Sequence, residues 1–255
     1  MRRPGSTRLG LPGAIVLIAM ASAGCSGASS SHEVLLVSAA ASLTDAFADI
    51  ASAFQKASPG VEVTLNLGGS PALREQIIAG APADVFASAN ASNMDQLEQA
   101  GALAGRSSVF ARNYLEIAVP TGNPGDVQSL QAFADPDLLI GLCAPEVPCG
   151  EFADQILAKA GVVASVDTYE PDVRALLTKI EEGELDAGIV YRTDVASTRD
   201  TVEAVEIPVE LNVVAGYHIA VLADAPHPDI AERFVAFVLS APGREILSRY
   251  GFSVS

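Results

Sequence analysis

The sequence contains no tryptophan, few aromatic residues and about half as many basic residues as acidic ones. Of its 255 residues, 15 are Lys or Arg and 31 are Asp or Glu, which gives a formal net charge of −16. Nucleic acids and anionic membrane surfaces are bound through basic patches, so this charge argues against both partners. Aromatic residues make up only 5% of the chain, so Ala, Val, Ile and Leu must fill the core.

Motifs of catalysis and metal binding are also missing. The chain has three histidines, His32, His218 and His227, and it contains no G-x-S-x-G, C-x-x-C or H-E-x-x-H sequence. A serine hydrolase needs a base beside its nucleophile, and a zinc site needs closely spaced ligands. A serine hydrolase and a structural lipoprotein without a ligand are the alternatives from other functional classes. A structural lipoprotein would not need the four strand-to-helix turns described below, but it stays an alternative at this point.

One long apolar run is present, at the N-terminus. Three arginines occur among the first eight residues, and residues 9–23 are apolar but interrupted by Pro12 and Gly13. A helix that spans a membrane needs about 20 uninterrupted apolar residues, so this run is too short. A basic start, an apolar centre and small residues at the end are typical of a signal peptide, which we predict over residues 1–24.

Two processing routes fit the end of this segment. Ala23-Gly24-Cys25 resembles the end of a lipobox, which would place a lipid on Cys25, although Ser22 stands where Leu is usual. Ala21-Ser22-Ala23 is also an A-x-A cleavage site, which would release an unlipidated chain. Both routes predict an exported protein, either anchored to the outer face of the cytoplasmic membrane or periplasmic. The Ser/Gly-rich residues 25–32 are predicted to form a flexible tether.

The two remaining cysteines lie close together in the sequence. If Cys25 carries a lipid, Cys143 and Cys149 remain as a pair in an oxidising compartment. Disulfides persist in such compartments, so we predict a Cys143–Cys149 disulfide. The alternative is two free thiols.

From Glu33 onward, strand-like apolar runs alternate with amphipathic helical segments. Val34–Val37 is a continuous apolar run, as expected of a strand buried on both faces. The residues Leu43, Phe47, Ile50 and Phe54 then recur at helical spacing. This alternation predicts an α/β fold with a mostly parallel sheet, and the length favours two similar lobes around a cleft.

Four turns share one design, in which a strand ends and a helix begins. They lie at Ser42, at Ser70, at Gly150–Ala153 and at Pro171–Val173. Ser42 opens a capping-box pattern, and Ser70 is predicted as an N-cap with Pro71 at the first helical position. Helix N-termini carry unpaired N–H groups and a partial positive charge, so four of them facing one cleft would bind a small anion without Lys or Arg.

Each feature also has a structural interpretation. A serine at an N-cap is often only a cap, and Val173 on a helix face is often a core residue. Tyr191, at the end of an apolar run, is often a buried tyrosine with a hydrogen-bonded hydroxyl.

Six motifs together resemble one family, the periplasmic molybdate-binding proteins of ABC transport. They are Ala40-Ala41-Ser42-Leu43, Gly80 to Phe86, Pro148 to Ala153, Asp172-Val173-Arg174, Asp186 to Tyr191, and Tyr250-Gly251-Phe252. The resemblance extends over nearly the whole chain after the signal peptide. It implies a type II periplasmic-binding fold with two lobes. Residues 33–115 and 218–255 would form lobe 1, and residues 116–217 would form lobe 2.

The resemblance also implies a ligand and the residues that bind it. The ligand is molybdate or tungstate, so a metal is bound only as its oxyanion and no cofactor is needed. The implied ligand-binding residues are Ser42, Ser70, Ala153, Val173 and Tyr191. The implied partners are an inner-membrane ABC permease and its ATPase, and the protein is expected to be a monomer and not an enzyme.

A pocket of donors alone has a consequence for selectivity. Hydrogenphosphate carries a proton and needs an acceptor, so such a pocket disfavours it. Molybdate, tungstate and sulfate only accept hydrogen bonds at neutral pH. Sulfate therefore remains the alternative ligand, because cavity size cannot be derived from the sequence.

Overall fold

The computed structural model describes residues 33–198 and 200–254. The predicted signal peptide (1–24), the tether (25–32) and the lipidation site Cys25 lie outside the described residues. Among the described residues, no helix combines the length and apolar character that crossing a membrane requires.

The described chain contains nine strands and eight α-helices. The strands are β1 (Glu33–Ala40), β2 (Val61–Gly68), β3 (Val85–Ser88), β4 (Ser108–Pro120), β5 (Ile140–Cys143), β6 (Thr168–Glu170), β7 (Ala187–Tyr191), β8 (Val202–Val205) and β9 (Val214–Val221). The helices are α1 (Thr44–Ala57), α2 (Ser70–Ile78), α3 (Ala91–Gln99), α4 (Pro148–Ala160), α5 (Val173–Glu181), α6 (Arg192–Ser197), α7 (Pro228–Leu239) and α8 (Ala241–Arg249). Two 3₁₀ turns occur at Ala41–Leu43 and Leu130–Ala134.

The strands form a mixed sheet in the order β2-β1-β3-β9-β4-β7-β5-β6, and β8 also pairs with β4. Strand β1 is parallel to β2 and β3, and β5 is parallel to β6 and β7. The long strands β4 and β9 are antiparallel to all their neighbours. The prediction of a mostly parallel sheet is therefore wrong for the centre of the sheet. Antiparallel neighbours need no crossover helix, so a run of strand and helix segments does not reveal them.

Strand β4 changes partners in its middle. Residues 108–114 pair with β9, and residues 115–118 pair with β7. The side chain of Asn212 fixes this point, because it accepts from the Leu115 N–H at 3.2 Å and donates to the Leu115 carbonyl at 2.9 Å. This change of partner coincides with the predicted boundary between the lobes. The division into lobes itself remains a prediction.

The core is aliphatic with a few phenylalanines, as the composition predicts. The helical face predicted from Leu43, Phe47, Ile50 and Phe54 is buried. Phe234 of α7 packs edge-on against two of these rings, with centroid distances of 6.3 Å to Phe47 and 5.2 Å to Phe54. Such edge-to-face pairs add to the stability gained from burial alone.

Candidate functional site

The ends of several strands and the starts of several helices meet at one small cavity. It is lined by Ala40, Ala41, Ser42, Gly68, Gly69, Ser70, Ala89, Pro148, Cys149, Asp172, Val173 and Tyr191. Four of the five predicted ligand-binding residues, namely Ser42, Ser70, Val173 and Tyr191, lie here together. The fifth, Ala153, is not among the lining residues.

The free space in this cavity is small. It amounts to about 10 Å³ for the centre of a water-sized group, which is the room that about one water needs. The elements around the cavity are therefore packed closely together in this structure.

Ser42 lies in the 3₁₀ turn that follows β1, and its hydroxyl contacts a second hydroxyl. Its Oγ is 2.8 Å from the hydroxyl oxygen of Tyr217, which is fully buried on β9. The predicted capping role of Ser42 is wrong, because α1 begins at Thr44 and has no side-chain cap. The 3₁₀ turn inserts an extra turn between the strand and the helix. Ser42 is therefore available for the cavity.

Ser70 is the first residue of α2, and Gly69 is its N-cap. Ser is a preferred N-cap residue, so the sequence pattern predicts the cap at Ser70, one residue too late. In the structure Gly69 is the N-cap and provides no side-chain hydrogen bond. The Ser70 Oγ accepts from the Ala89 N–H at 3.3 Å. Because that bond uses an oxygen lone pair, the hydroxyl proton of Ser70 remains available to an acceptor in the cavity.

The start of α5 presents a backbone N–H to the cavity. Asp172 is the N-cap, and its carboxylate accepts from the N–H groups of Arg174 and Ala175 at 2.9 and 3.0 Å. Val173 is the first residue of the helix, where the N–H has no acceptor within the helix. The cap therefore satisfies the second and third N–H groups and leaves the first for a ligand.

The start of α4 also reaches the cavity, through Pro148 and Cys149. Pro148 is the first helical residue and has no N–H, and the Glu151 N–H already donates to the Val147 carbonyl at 2.9 Å. The Glu151 N–H makes the first hydrogen bond of the helix. The Cys149 N–H, two residues earlier, therefore has no acceptor within the helix. Ala153 lies deeper in α4, where its N–H belongs to the helical hydrogen-bond ladder. A proline at the first helical position was the signal in the sequence that could have identified Cys149.

A disulfide holds this helix start in place. Cys143, the last residue of β5, is bonded to Cys149 with a Cα–Cα distance of 5.7 Å. The predicted disulfide is therefore present. It ties a cavity residue directly to the sheet.

Tyr191 carries the least satisfied polar group at the site. Its side chain is 1% exposed, and its hydroxyl makes no hydrogen bond within the part of the chain that the structure describes. Burial raises the pKa of this hydroxyl well above its usual value, and the nearby Tyr217 and Asp194 add to the effect. The hydroxyl is thus a neutral donor at physiological pH. The structural interpretation of Tyr191, a buried tyrosine with a hydrogen-bonded hydroxyl, does not describe it.

The electrostatics of the cavity depend on dipoles and hydroxyls. None of its lining residues among the described part of the chain is Lys or Arg. The one carboxylate, Asp172, is occupied by its capping bonds. Asp194 lies behind the cavity and accepts from the Tyr191 N–H at 3.1 Å. Burial raises the pKa of Asp194 to about 7, and the positive charge of Arg174 opposes that rise.

Three contacts connect the elements on opposite sides of the cavity. Arg174 of α5 forms an ion pair with Asp45 of α1. The Asn90 amide before α3 donates to the Glu151 carboxylate of α4 at 2.7 Å. A Cβ atom on Gly69 would lie 2.5 Å from the Pro171 carbonyl oxygen, so only glycine allows this approach.

Comparisons with known proteins agree on the family and the fold. Residues 35–253 match the family model described as bacterial extracellular solute-binding protein. The molybdate-binding protein ModA of Mycobacterium tuberculosis (strain ATCC 25618 / H37Rv) is 40% identical over 219 residues, which cover 86% of this chain and 84% of that protein.

Two solved structures show the same fold at low identity. The periplasmic molybdate-binding protein of Azotobacter vinelandii is 20% identical with a TM-score of 0.75, covering 87% of this chain and 99% of that one. The sulfate-binding protein SubI of Mycobacterium tuberculosis H37Rv is 18% identical with a TM-score of 0.80, covering 88% and 87%. The predicted α/β periplasmic-binding-protein fold is confirmed, with a mixed rather than a mostly parallel sheet.

Proposed function

The chain belongs to the bacterial extracellular solute-binding protein family, and from this premise we propose that it captures molybdate or tungstate and delivers it to an ABC importer. A relative that is 40% identical over most of the chain is named for molybdate binding. The single observation that carries the proposal is the buried Tyr191 hydroxyl, which has no hydrogen-bond partner among the described residues and lies beside two helix starts and two serines. A buried donor without a partner costs free energy unless a ligand satisfies it.

We propose that five donors hold the anion. They are the hydroxyls of Ser42, Ser70 and Tyr191 and the backbone N–H groups of Cys149 and Val173. The Cys149 N–H takes the place of the predicted Ala153, because Cys149 lines the cavity. Burying a dianion is costly unless its oxygens are paired, and several convergent charge-assisted bonds of about 1.5–3 kcal/mol each offset that cost.

Selectivity follows if all five groups point a proton at the anion: the two N–H groups cannot accept, and the three hydroxyls are expected to be oriented as donors. Hydrogenphosphate would place its proton against donors, so the site should reject it. Sulfate passes the same test and is the second candidate ligand, because a sulfate-binding protein has the same fold. The relative that is 40% identical is named for molybdate binding, which favours molybdate over sulfate.

A catalytic role for these serines has no support in the geometry. In the hydrogen bonds of the described residues, Ser42 contacts the Tyr217 hydroxyl and Ser70 contacts a backbone N–H. Neither contact supplies the base that a nucleophilic serine requires. We therefore propose a binding protein without enzymatic activity or cofactor, which acts as an exported monomer with a permease and its ATPase as partners.

The lobes and the anchor belong to the same proposal. Residues 33–115 and 218–255 would move as one lobe and residues 116–217 as the other, and the cavity would open when they separate. The contacts Asp45–Arg174 and Asn90–Glu151 join these two groups of residues. Lipidation of Cys25 would keep the protein near its permease.

A thermal-shift series with molybdate, tungstate, sulfate and phosphate tests the function. Molybdate and tungstate should raise the melting temperature, since a ligand at 100 times its dissociation constant contributes about 2.7 kcal/mol. Phosphate should give no shift. An equal shift with phosphate would refute the donor-only site, and a shift with sulfate alone would replace the ligand while keeping the site.

A further inference from the structure

We propose that Tyr217 is a positioning residue that sets the selectivity of the site by fixing the direction of the Ser42 hydroxyl. This inference rests on the proposed oxyanion-binding function. Tyr217 is fully buried, and its hydroxyl oxygen lies 2.8 Å from Ser42 Oγ. It is not among the residues that line the cavity. Tyr217 therefore acts on a ligand through cavity residues, and Ser42 is the one that its hydroxyl contacts at hydrogen-bonding distance.

The surroundings of the two hydroxyls determine which one donates. Burial raises the pKa of the Tyr217 hydroxyl, so it keeps its proton. Among the described residues, Ser42 Oγ is the partner at hydrogen-bonding distance for this proton, whereas the Ser42 hydroxyl borders the cavity and can turn its own proton to a ligand there. A buried hydroxyl proton without an acceptor would cost free energy, which disfavours the reverse direction.

This direction has two consequences for the anion. Ser42 accepts from Tyr217 and turns its own proton toward the cavity, where it donates to a ligand oxygen. Hydrogen bonds in such a chain strengthen one another. The lone pair of Ser42 that faces Tyr217 is also occupied, so Ser42 is less able to accept the proton of hydrogenphosphate. Tyr217 thereby keeps Ser42 a donor.

A double-mutant cycle tests this role by calorimetric titration with sodium molybdate. Tyr217→Phe should weaken molybdate binding about tenfold, the loss expected for one oriented hydrogen bond. In a Ser42→Ala background, Tyr217→Phe should have no further effect, because its target is gone. Tyr250→Phe is the matched control, since it removes another tyrosine hydroxyl that bonds Asp49 at 2.9 Å away from the cavity.

A second readout separates positioning from simple packing. The ratio of molybdate affinity to phosphate affinity should fall in Tyr217→Phe, because Ser42 is then free to rotate and accept a proton. A packing defect would weaken both anions equally and leave the ratio unchanged, which would overturn the inference. Additive losses in the cycle would also overturn it. If wild-type protein binds neither molybdate nor sulfate, the proposed function fails instead.

Replacing Tyr217 with 3-fluorotyrosine covers the case in which Tyr217→Phe does not fold. Fluorination makes the hydroxyl a stronger donor while keeping the ring and its bond to Ser42. Molybdate affinity should then increase in the wild-type background and not in Ser42→Ala. An unchanged affinity in the wild-type background would overturn the proposal.

Discussion

The two sides of the cavity hold their donors in different ways. The serine side, Ser42 and Ser70, has hydroxyls that already contact protein partners at 2.8 and 3.3 Å. The helix-start side, Cys149, Val173 and Tyr191, offers two N–H groups from first helical turns and a hydroxyl with no partner among the described residues. Each serine oxygen therefore has one hydrogen-bond partner before a ligand arrives, whereas the Tyr191 hydroxyl has none among the described residues.

Because of this difference, we expect the two sides to contribute differently to stability and to ligand affinity. Donors that are already oriented lose little entropy when they bind a ligand. Donors without partners gain most from the ligand, because they exchange an unpaired buried state for a hydrogen bond. The serine side should therefore contribute to both stability and affinity, and the helix-start side mainly to affinity.

Among the changes considered, Tyr191→Phe should have the largest effect on molybdate affinity. Losing one charge-assisted hydrogen bond costs about 1.5–3 kcal/mol, or about 10- to 150-fold in molybdate affinity. The melting temperature of the ligand-free protein should stay unchanged or rise slightly, because the lost hydroxyl had no partner. Calorimetric titration and a melting curve measure the two quantities.

Ser42→Ala is the comparison variant for that experiment. It removes a hydrogen bond that exists without ligand, so it should lower the free energy of unfolding by about 1 kcal/mol as well as the affinity. If Tyr191→Phe destabilised the ligand-free protein as much as Ser42→Ala, the division between the two sides would be wrong.

Gly69→Ala should force the two sides apart. The added Cβ would lie 2.5 Å from the Pro171 carbonyl oxygen, while the backbone of Gly69 (φ −61°) is acceptable to alanine. Overpacking of this kind costs about 1–3 kcal/mol, and we expect the ligand-bound arrangement, which brings Gly69 and Pro171 together, to bear this cost, so molybdate affinity should fall by up to about 5- to 150-fold. Gly105→Ala is the control, because no atom lies within 4 Å of its added Cβ. Equal affinities in both variants would mean that Gly69 and Pro171 are not in contact when the ligand is bound.

The sequence indicated much of the site because local patterns determine helix starts. The strand-to-helix turns at Ser42, Ser70 and Val173 all reach the cavity. The N-cap at Gly69 and the 3₁₀ turn at Ser42 were not predicted, since both depend on a shift of one or two residues that tertiary packing decides. Tyr217 was not identified as a partner of Ser42, because 175 residues separate them. The antiparallel pairing of β4 and β9 was missed for the same reason.

The double variant Cys143→Ala/Cys149→Ala examines the helix-start side alone. It keeps the Cys149 N–H but frees the start of α4 from β5. The lost cross-link should lower the free energy of unfolding by about 2 kcal/mol on the chain-entropy model. Molybdate affinity should fall only a few-fold, since the N–H is still present but less well positioned. An affinity equal to that of the wild type, with the expected loss of stability, would show that the disulfide supports the fold and not the site.

Asp45→Asn should have the smallest effect, because the ion pair between Asp45 and Arg174 is partly exposed. Exposed pairs contribute at most about 1 kcal/mol, so the loss of this link between the two sides should reduce molybdate affinity by no more than about fivefold. Removing a negative charge also favours an anion nearby, which would partly hide the loss.

Asp49→Asn separates these two effects. Asp49 lies on the same helix as Asp45. It contacts Arg249, the last residue of α8, and Tyr250, which follows it, and these residues are not on the helix-start side. It thus measures the effect of removing a negative charge from α1 without breaking the link between the two sides, and subtracting that effect leaves the contribution of the Asp45–Arg174 pair. Both changes in affinity should shrink as salt is added, since exposed charges are screened. If Asp45→Asn raised the affinity as much as Asp49→Asn, the ion pair would contribute nothing to holding the two sides together, and Gly69 and the Asn90–Glu151 bond would remain as the contacts between them.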